Sequence, residues 1–240
     1  MFASHFNFGT VVRSYGEIFN PSSHTIGSFY AFSIAQEFRT LVKQSADTTL
    51  DRYFDELTLA GRLPVHFDIM YNQLELPCLS YNPYEFEFIY GYMRNRKGVV
   101  ISLERETRDS FLSRKFLEIS GVAHRFRGDA PLVYQGPPLT IDANEYRAYK
   151  AYISRMRARL YEAMASYEYF ISVNYEDVLT GIPERVKDLI LRNAEQHGIA
   201  IETQHIQMRE NTMEPMGVSY REIFKNFDVI ERVDAEIASR

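Results

Sequence analysis

The 240-residue chain has a single cysteine, Cys78, and no tryptophan. One thiol excludes an internal disulfide, and with no second cysteine or histidine near it a zinc site has no support. Cys78 is expected to pack in a core. The six histidines, at 5, 24, 66, 124, 197 and 205, never stand at the i, i+4 spacing of a helical metal site. No glycine-rich loop ending in Lys-Ser/Thr is present, which argues against a kinase or other nucleotide enzyme of the P-loop type. Long apolar runs are missing too, and the opening MFASHFNFGTVVRSYGE lacks the basic-then-apolar order of a signal peptide. No membrane span and a cytoplasmic location are expected. Positive charge is also short: 27 Lys+Arg against 32 Asp+Glu give a net charge of -5. A general nucleic-acid binder needs a broad basic surface, so an anionic ligand here must be held by a local cluster.

What is abundant is aromatic surface. Seventeen Tyr and 17 Phe within a 45% hydrophobic composition mark an ordered globular chain, because such residues offset the entropy of folding. No repeat or Gly/Ser linker divides the sequence, and Gly136-Pro137-Pro138 reads as a loop, so residues 1–240 are expected to form a single domain. Three short β-branched or aromatic runs predict strands: Val65 to Met70, Gly98 to Leu103 and Tyr169 to Asn174. Helical patterns alternate with them. The fold class expected is α/β, a largely parallel sheet flanked by helices.

Local signals place the helices. Asp142-Ala-Asn-Glu145 has capping-box character, and Tyr146, Tyr149, Ile153, Met156, Leu160 and Met164 follow as one apolar stripe. Arg147, Lys150, Arg155, Arg157 and Arg159 take the other side, which reads as a solvated face although it could touch an anion. Pro183 opens a further helix that Gly198 follows, Ser219-Tyr-Arg-Glu222 looks like the capping box of a C-terminal helix, and Ser28 to Arg52 reads as helical.

One stretch, Ile101-Ser-Leu-Glu-Arg-Glu-Thr-Arg-Asp-Ser-Phe-Leu-Ser113, joins an apolar strand to two arginines and a hydroxyl. Arg105 falls just past the strand's carboxyl end, the edge where ligands bind in α/β sheets, and Thr107 can cap the helix that follows. A guanidinium, helix-start amides and the Ser113 hydroxyl would suit one phosphate. A surface Arg105 paired with Glu104 or Glu106 is the alternative.

This segment resembles the 3′-phosphate-binding segment of sulfotransferases, in which a strand ends in Arg and a Ser follows eight residues later. Three more stretches agree in order. Ser14-Tyr-Gly-Glu-Ile-Phe-Asn-Pro21 is similar to the Gly-Glu-x-Phe-Asn segment of bacterial carbohydrate sulfotransferases, Phe67 to Leu74 to their second strand, and Phe170 to Leu179 to a strand ending in Tyr-Glu-Asp-Leu. Ser219 to Ile230, with Asn226, resembles the family's terminal helix. The resemblance spans residues 14 to 230 and implies the P-loop-type sulfotransferase fold and transfer of a sulfuryl group from 3′-phosphoadenosine 5′-phosphosulfate to a carbohydrate or related small hydroxyl acceptor. No metal is implied. Arg105 and Ser113 would bind the 3′-phosphate, with Arg108 a further donor-binding residue; Asp109 would join it or cap its own helix. Tyr175 would lie near the adenine.

Glu17 matches the carboxylate taken as general base in the carbohydrate branch; the alternative is an ordinary loop or capping glutamate. His24 ranks below it as a base, since a lone loop histidine is most often solvated. The family's Arg-Ser/Thr-Gly-Ser/Thr-Thr loop for the 5′-phosphosulfate is not found, and Asp68 stands where relatives have lysine. Residues 1–13 are therefore expected to be the end of the helix after that loop, and the fold to be N-terminally incomplete. An exposed sheet edge would favour homo-oligomers. A catalytically silent, sulfotransferase-like binding or assembly protein is the alternative function. The acceptor loop would be His124 to Pro138.

Overall fold

The computed structural model describes residues 6–7, 12–17, 46–58, 64–69, 71, 87–121, 125–126, 134–179, 181–208, 213–214 and 219–239. In chain order the elements are β1 (Phe6–Asn7), β2 (Arg13–Glu17), α1 (Ala46–Leu57), β3 (Val65–Asp68), α2 (Glu87–Asn95), β4 (Val100–Glu104), α3 (Thr107–Ser120) and β5 (Arg125–Phe126). There follow α4 (Ala143–Ala163), β6 (Phe170–Asn174), α5 (Tyr175–Leu179), α6 (Glu184–Gln196), β7 (Gln207–Met208), β8 (Met213–Glu214), α7 (Tyr220–Ile223) and α8 (Asp228–Ala238). The protein is mixed α/β, and no helix among the described residues is long and apolar enough to cross a membrane.

The chain divides into two compact units. One comprises Met1–Leu103 and Arg159–Arg209. In it β2 and β3 pair in parallel, with Arg13 opposite Val65, Ser14 opposite His66 and, past an irregularity, Glu17 opposite Asp68. The Val100 N–H donates to the Tyr169 carbonyl at 2.9 Å, so β4 and β6 start side by side. Their apolar residues meet α6, whose Val186 and Ile190 join Val12, Val173, Val178, Ile182 and Ile206 in one core. Pro183 precedes the first residue of α6 and Gly198 takes φ 67 after its end, as the sequence leads one to expect. The entry to β4 is held by side chains. Lys97 adopts φ 53, a conformation costly for a residue with a Cβ. Its carbonyl accepts from Asn193 Nδ2 at 2.7 Å, and the next carbonyl, of Gly98, accepts from the Tyr167 hydroxyl at 2.7 Å.

The other unit comprises Glu104–Ala158 and Glu210–Arg240. Here α3 and α4 run antiparallel. Lys115 Nζ meets Glu145 Oε1 at 2.6 Å, the Ser110 and Tyr149 hydroxyls lie 2.8 Å apart, and the Phe111 ring packs on Tyr146 and Tyr149 at 5.0 and 5.5 Å. Asp142 caps α4 as expected: its Oδ1 accepts from the amides of Asn144 at 2.7 Å and Glu145 at 3.3 Å. Phe111, Leu112, Phe116, Tyr146, Phe224, Ile230 and Val233 are all within the core.

Several expectations need correction. The largely parallel sheet is present only in part: among the described residues the ladders are two-stranded, and β1 with β7 and β5 with β8 are antiparallel. Phe6–Asn7 is a strand rather than the end of a helix, because Gln207–Met208 offers it backbone partners. Glu17 lies in a strand, not a loop. The Ser219 capping box makes no side-chain capping bond, and it opens one turn rather than a long helix. Phe224 then turns extended to bridge Leu139, and the helix restarts at Asp228. The basic side of α4 is not simply solvated, since Lys150 reaches Asp234 at 2.5 Å and Arg147 reaches Glu236 at 2.6 Å, both on α8. Cys78, His24 and residues 28–45 of the expected N-terminal helix lie outside the described residues; residues 46–52 of it are helical.

Candidate anion-binding site

The strand β4 ends at Glu104, so Arg105 is the first residue past its carboxyl end, as expected. Arg105 is half-buried. Its carbonyl belongs to neither ladder: β4 has stopped, and the first bond of α3 runs from the Ser110 amide to the Glu106 carbonyl at 3.0 Å. Backbone groups so placed need another partner. Arg157 Nη2 on α4 supplies it, donating to the Arg105 carbonyl at 2.6 Å, while Arg157 Nε stands 4.0 Å from Glu104 Oε2.

Thr107 does not cap α3. The N-cap is Glu106, with φ -50 and ψ 127, and its side chain makes no capping bond. Amides of a helix's first turn have no intrahelical acceptor, and this turn also carries Asp109. Asp109 Oδ1 faces Arg108 Nε at 3.3 Å, and both side chains are exposed. Exposed pairs of this kind hold weakly, so Arg108 can exchange partners at little cost. Ser113 is half-buried, four residues beyond Asp109 and three beyond Ser110, which places it on the same side of α3.

Arg108 also lines an open pocket of about 210 Å³ with Asp109, Ser219, Tyr220 and Arg221, over an apolar floor of Leu112 and Phe227. The Arg221 guanidinium lies 4.6 Å from the Phe227 ring centre and pairs with Glu231. This wall was not visible in the sequence, where Ser219-Tyr-Arg-Glu222 signals only a helix start. Arg157 was likewise missed, because it falls in a basic stripe.

In the other unit, Tyr175 is half-buried and follows the last residue of β6 directly, and Glu17 is the last residue of β2, in register with Asp68. No group of metal-ligating side chains occurs among the described residues. Of the expected acceptor loop, Arg125–Phe126 form β5 and residues 134–138 are irregular; the remainder lies outside the described residues. Compared with family models, with curated proteins and with solved structures, the chain matches none.

Proposed function

We propose that the chain transfers a sulfuryl group from 3′-phosphoadenosine 5′-phosphosulfate to a hydroxyl of a carbohydrate or related small acceptor. Arg105 and Ser113 take the 3′-phosphate, Arg108 adds a cation, Tyr175 lies near the adenine and Glu17 is the base. The acceptor oxygen attacks sulfur, the sulfur–oxygen bond to the phosphate breaks, and the hydroxyl proton passes to the carboxylate. Charge spreads over sulfuryl oxygens in such a displacement, so positioning and cationic stabilisation dominate, as in phosphoryl transfer.

The observation that supports this reading best is the order strand, Arg105, helix, Ser113. Arg105 follows the carboxyl end of its strand, the kind of edge where α/β sheets bind ligands, and the uncapped helix start and the Ser113 hydroxyl come after it. Glu17 and Tyr175 also stand at carboxyl ends of their strands. One observation favours the second reading, a binding protein that holds the nucleotide without catalysis. Glu17 is paired in register with a second acid, Asp68, where an anionic sulfuryl group would want a cation.

Calorimetric titration with 3′-phosphoadenosine 5′-phosphate tests the nucleotide site. Micromolar binding that weakens at least about tenfold in Arg105→Ala, about 1.4 kcal/mol, is the expected result. Equal binding by both proteins, or none by the folded wild type, refutes the assignment. Sulfuryl transfer to a panel of sugars, with Glu17→Gln beside wild type, then separates the enzyme from the silent binder.

A further inference from the structure

Arg157 is the side chain whose placement the proposed chemistry leaves unexplained. It sits on α4, with 27% of its side chain exposed, and turns inward to the strand-to-helix connection. Two groups there orient it: the Arg105 carbonyl at 2.6 Å and the Glu104 carboxylate at 4.0 Å. Its Nε is buried and has no hydrogen-bond partner, so the guanidinium is held by the carbonyl at one end and the acid's field at the other. A planar fork can face both at once; a lysine ammonium reaches one or the other.

We infer that Arg157 is a positioning residue for the Arg105 turn, and that selectivity for a nucleotide 3′-phosphate depends on it; the second half rests on the nucleotide reading proposed above. The physical chain is short. Holding the Arg105 carbonyl fixes the peptide plane between Arg105 and Glu106, the N-cap residue from which α3 starts. Arg105 precedes that plane in the chain and Ser113 follows it on α3. With the carbonyl unheld, the two would keep their chemistry and lose their mutual placement, which is what recognition of one phosphate by two groups requires. The bond is charge-assisted and part-buried, so water replaces it poorly. Arg157 itself need not touch the ligand.

Two readouts separate the parts of the inference, each on the full chain with Arg157→Gln and Arg157→Lys. The first is amide hydrogen exchange without ligand. In Arg157→Gln the amides of residues 106–110 should exchange about tenfold faster or more, while those of α6 in the other unit hold their rates. Unchanged exchange at 106–110 overturns the positioning role, whatever the ligand does. The second is the ratio of affinities for 3′-phosphoadenosine 5′-phosphate and adenosine 5′-phosphate, which differ only in the 3′-phosphate. That ratio should fall about tenfold in Arg157→Gln, recover in part in Arg157→Lys, and show no further fall when Arg157→Gln is added to Arg105→Ala. A general loss of stability would weaken both ligands together and leave the ratio alone. A wild-type ratio near unity refutes the nucleotide reading itself. A high wild-type ratio that persists in Arg157→Gln refutes only the dependence on Arg157.

Discussion

Replacing Asn226 by alanine should destabilise the unit built on α3, α4 and α8 more than any exposed polar substitution in it. The Asn226 side chain imitates a strand: its Oδ1 accepts from the Ile141 amide at 2.8 Å and its Nδ2 donates to the Ile141 carbonyl at 2.9 Å. Beside it the Leu139 amide donates to the Ile223 carbonyl at 2.8 Å, and the Lys225 amide to the Leu139 carbonyl at 3.1 Å. Together these tie the C-terminal segment to the approach of α4. Alanine removes both Asn226 bonds and leaves the Ile141 amide and carbonyl without them. An orphaned buried group costs about 1–3 kcal/mol, and Asn226 is only half-buried, so the two together should cost about 2–4 kcal/mol. At an m value of about 2 kcal/mol/M the urea midpoint falls by about 1–2 M. With no tryptophan present, tyrosine fluorescence and circular dichroism are the probes. Asn226→Asp is the companion variant: it keeps the acceptor but sets a carboxylate oxygen against the Ile141 carbonyl, so most of the loss should persist at neutral pH. An alanine variant within about 0.5 kcal/mol of wild type, with m unchanged, would refute the reasoning.

Other outcomes follow from the same contacts. Burial, then the hydrogen bond to Asp234, pushes the Tyr146 hydroxyl well above its ordinary pKa, and burial followed by the nearby Glu168 charge pushes Tyr167 up to about 12. A raised folded value means stability that is intact below pH about 10 and lost as pH climbs through the folded pKa. Unfolding midpoints should therefore fall between pH 10 and about 12, less steeply in Tyr167→Phe; an identical slope in that variant would contradict the assignment. Asp234 accepts from Tyr146 at 2.9 Å and pairs with Lys150 at 2.5 Å, so Asp234→Ala should cost about 1–3 kcal/mol in urea unfolding. Lys115→Met removes pairs to two largely exposed acids, Glu118 and Glu145, and should cost under about 1 kcal/mol, shrinking further in high salt.

Elements whose signal is local were legible in the sequence. The β-branched run before Arg105 gave β4 to within two residues at its start and one at its end, and the stripe from Tyr146 to Met164 with its Asp142 cap gave α4. Elements that exist through a distant partner were not. Phe6–Asn7 is a strand only because Gln207–Met208 pairs with it. Phe224, inside the stretch Ser219 to Ile230 that resembles a terminal helix, is extended because Leu139 offers a bridge and the core takes its ring. A capping box reports that a helix can start, and says nothing about a tertiary contact that stops it one turn later.

The site divides along the same line. The position of Arg105 was legible because a strand end is a local event. The grip of Arg157 on it was not, since a basic stripe opposite an apolar stripe has the same pattern whether water or a backbone carbonyl receives the charge. Hydrophobic periodicity tells which side chains enter a core and is blind to the backbone groups that connections strand between ladders. Those groups recur here at several joints: Lys97 and Gly98 before β4, Arg105 after it, Ile141 before α4, with carbonyls taken by Asn193, Tyr167, Arg157 and Asn226. Each acceptor lies between elements, and each donor is a polar side chain from a segment distant in sequence. Removing such a donor leaves the apolar core intact and frees the connection, so its effect should be read in where a neighbouring residue points as well as in stability. For Arg157 that neighbour is the guanidinium at the strand end.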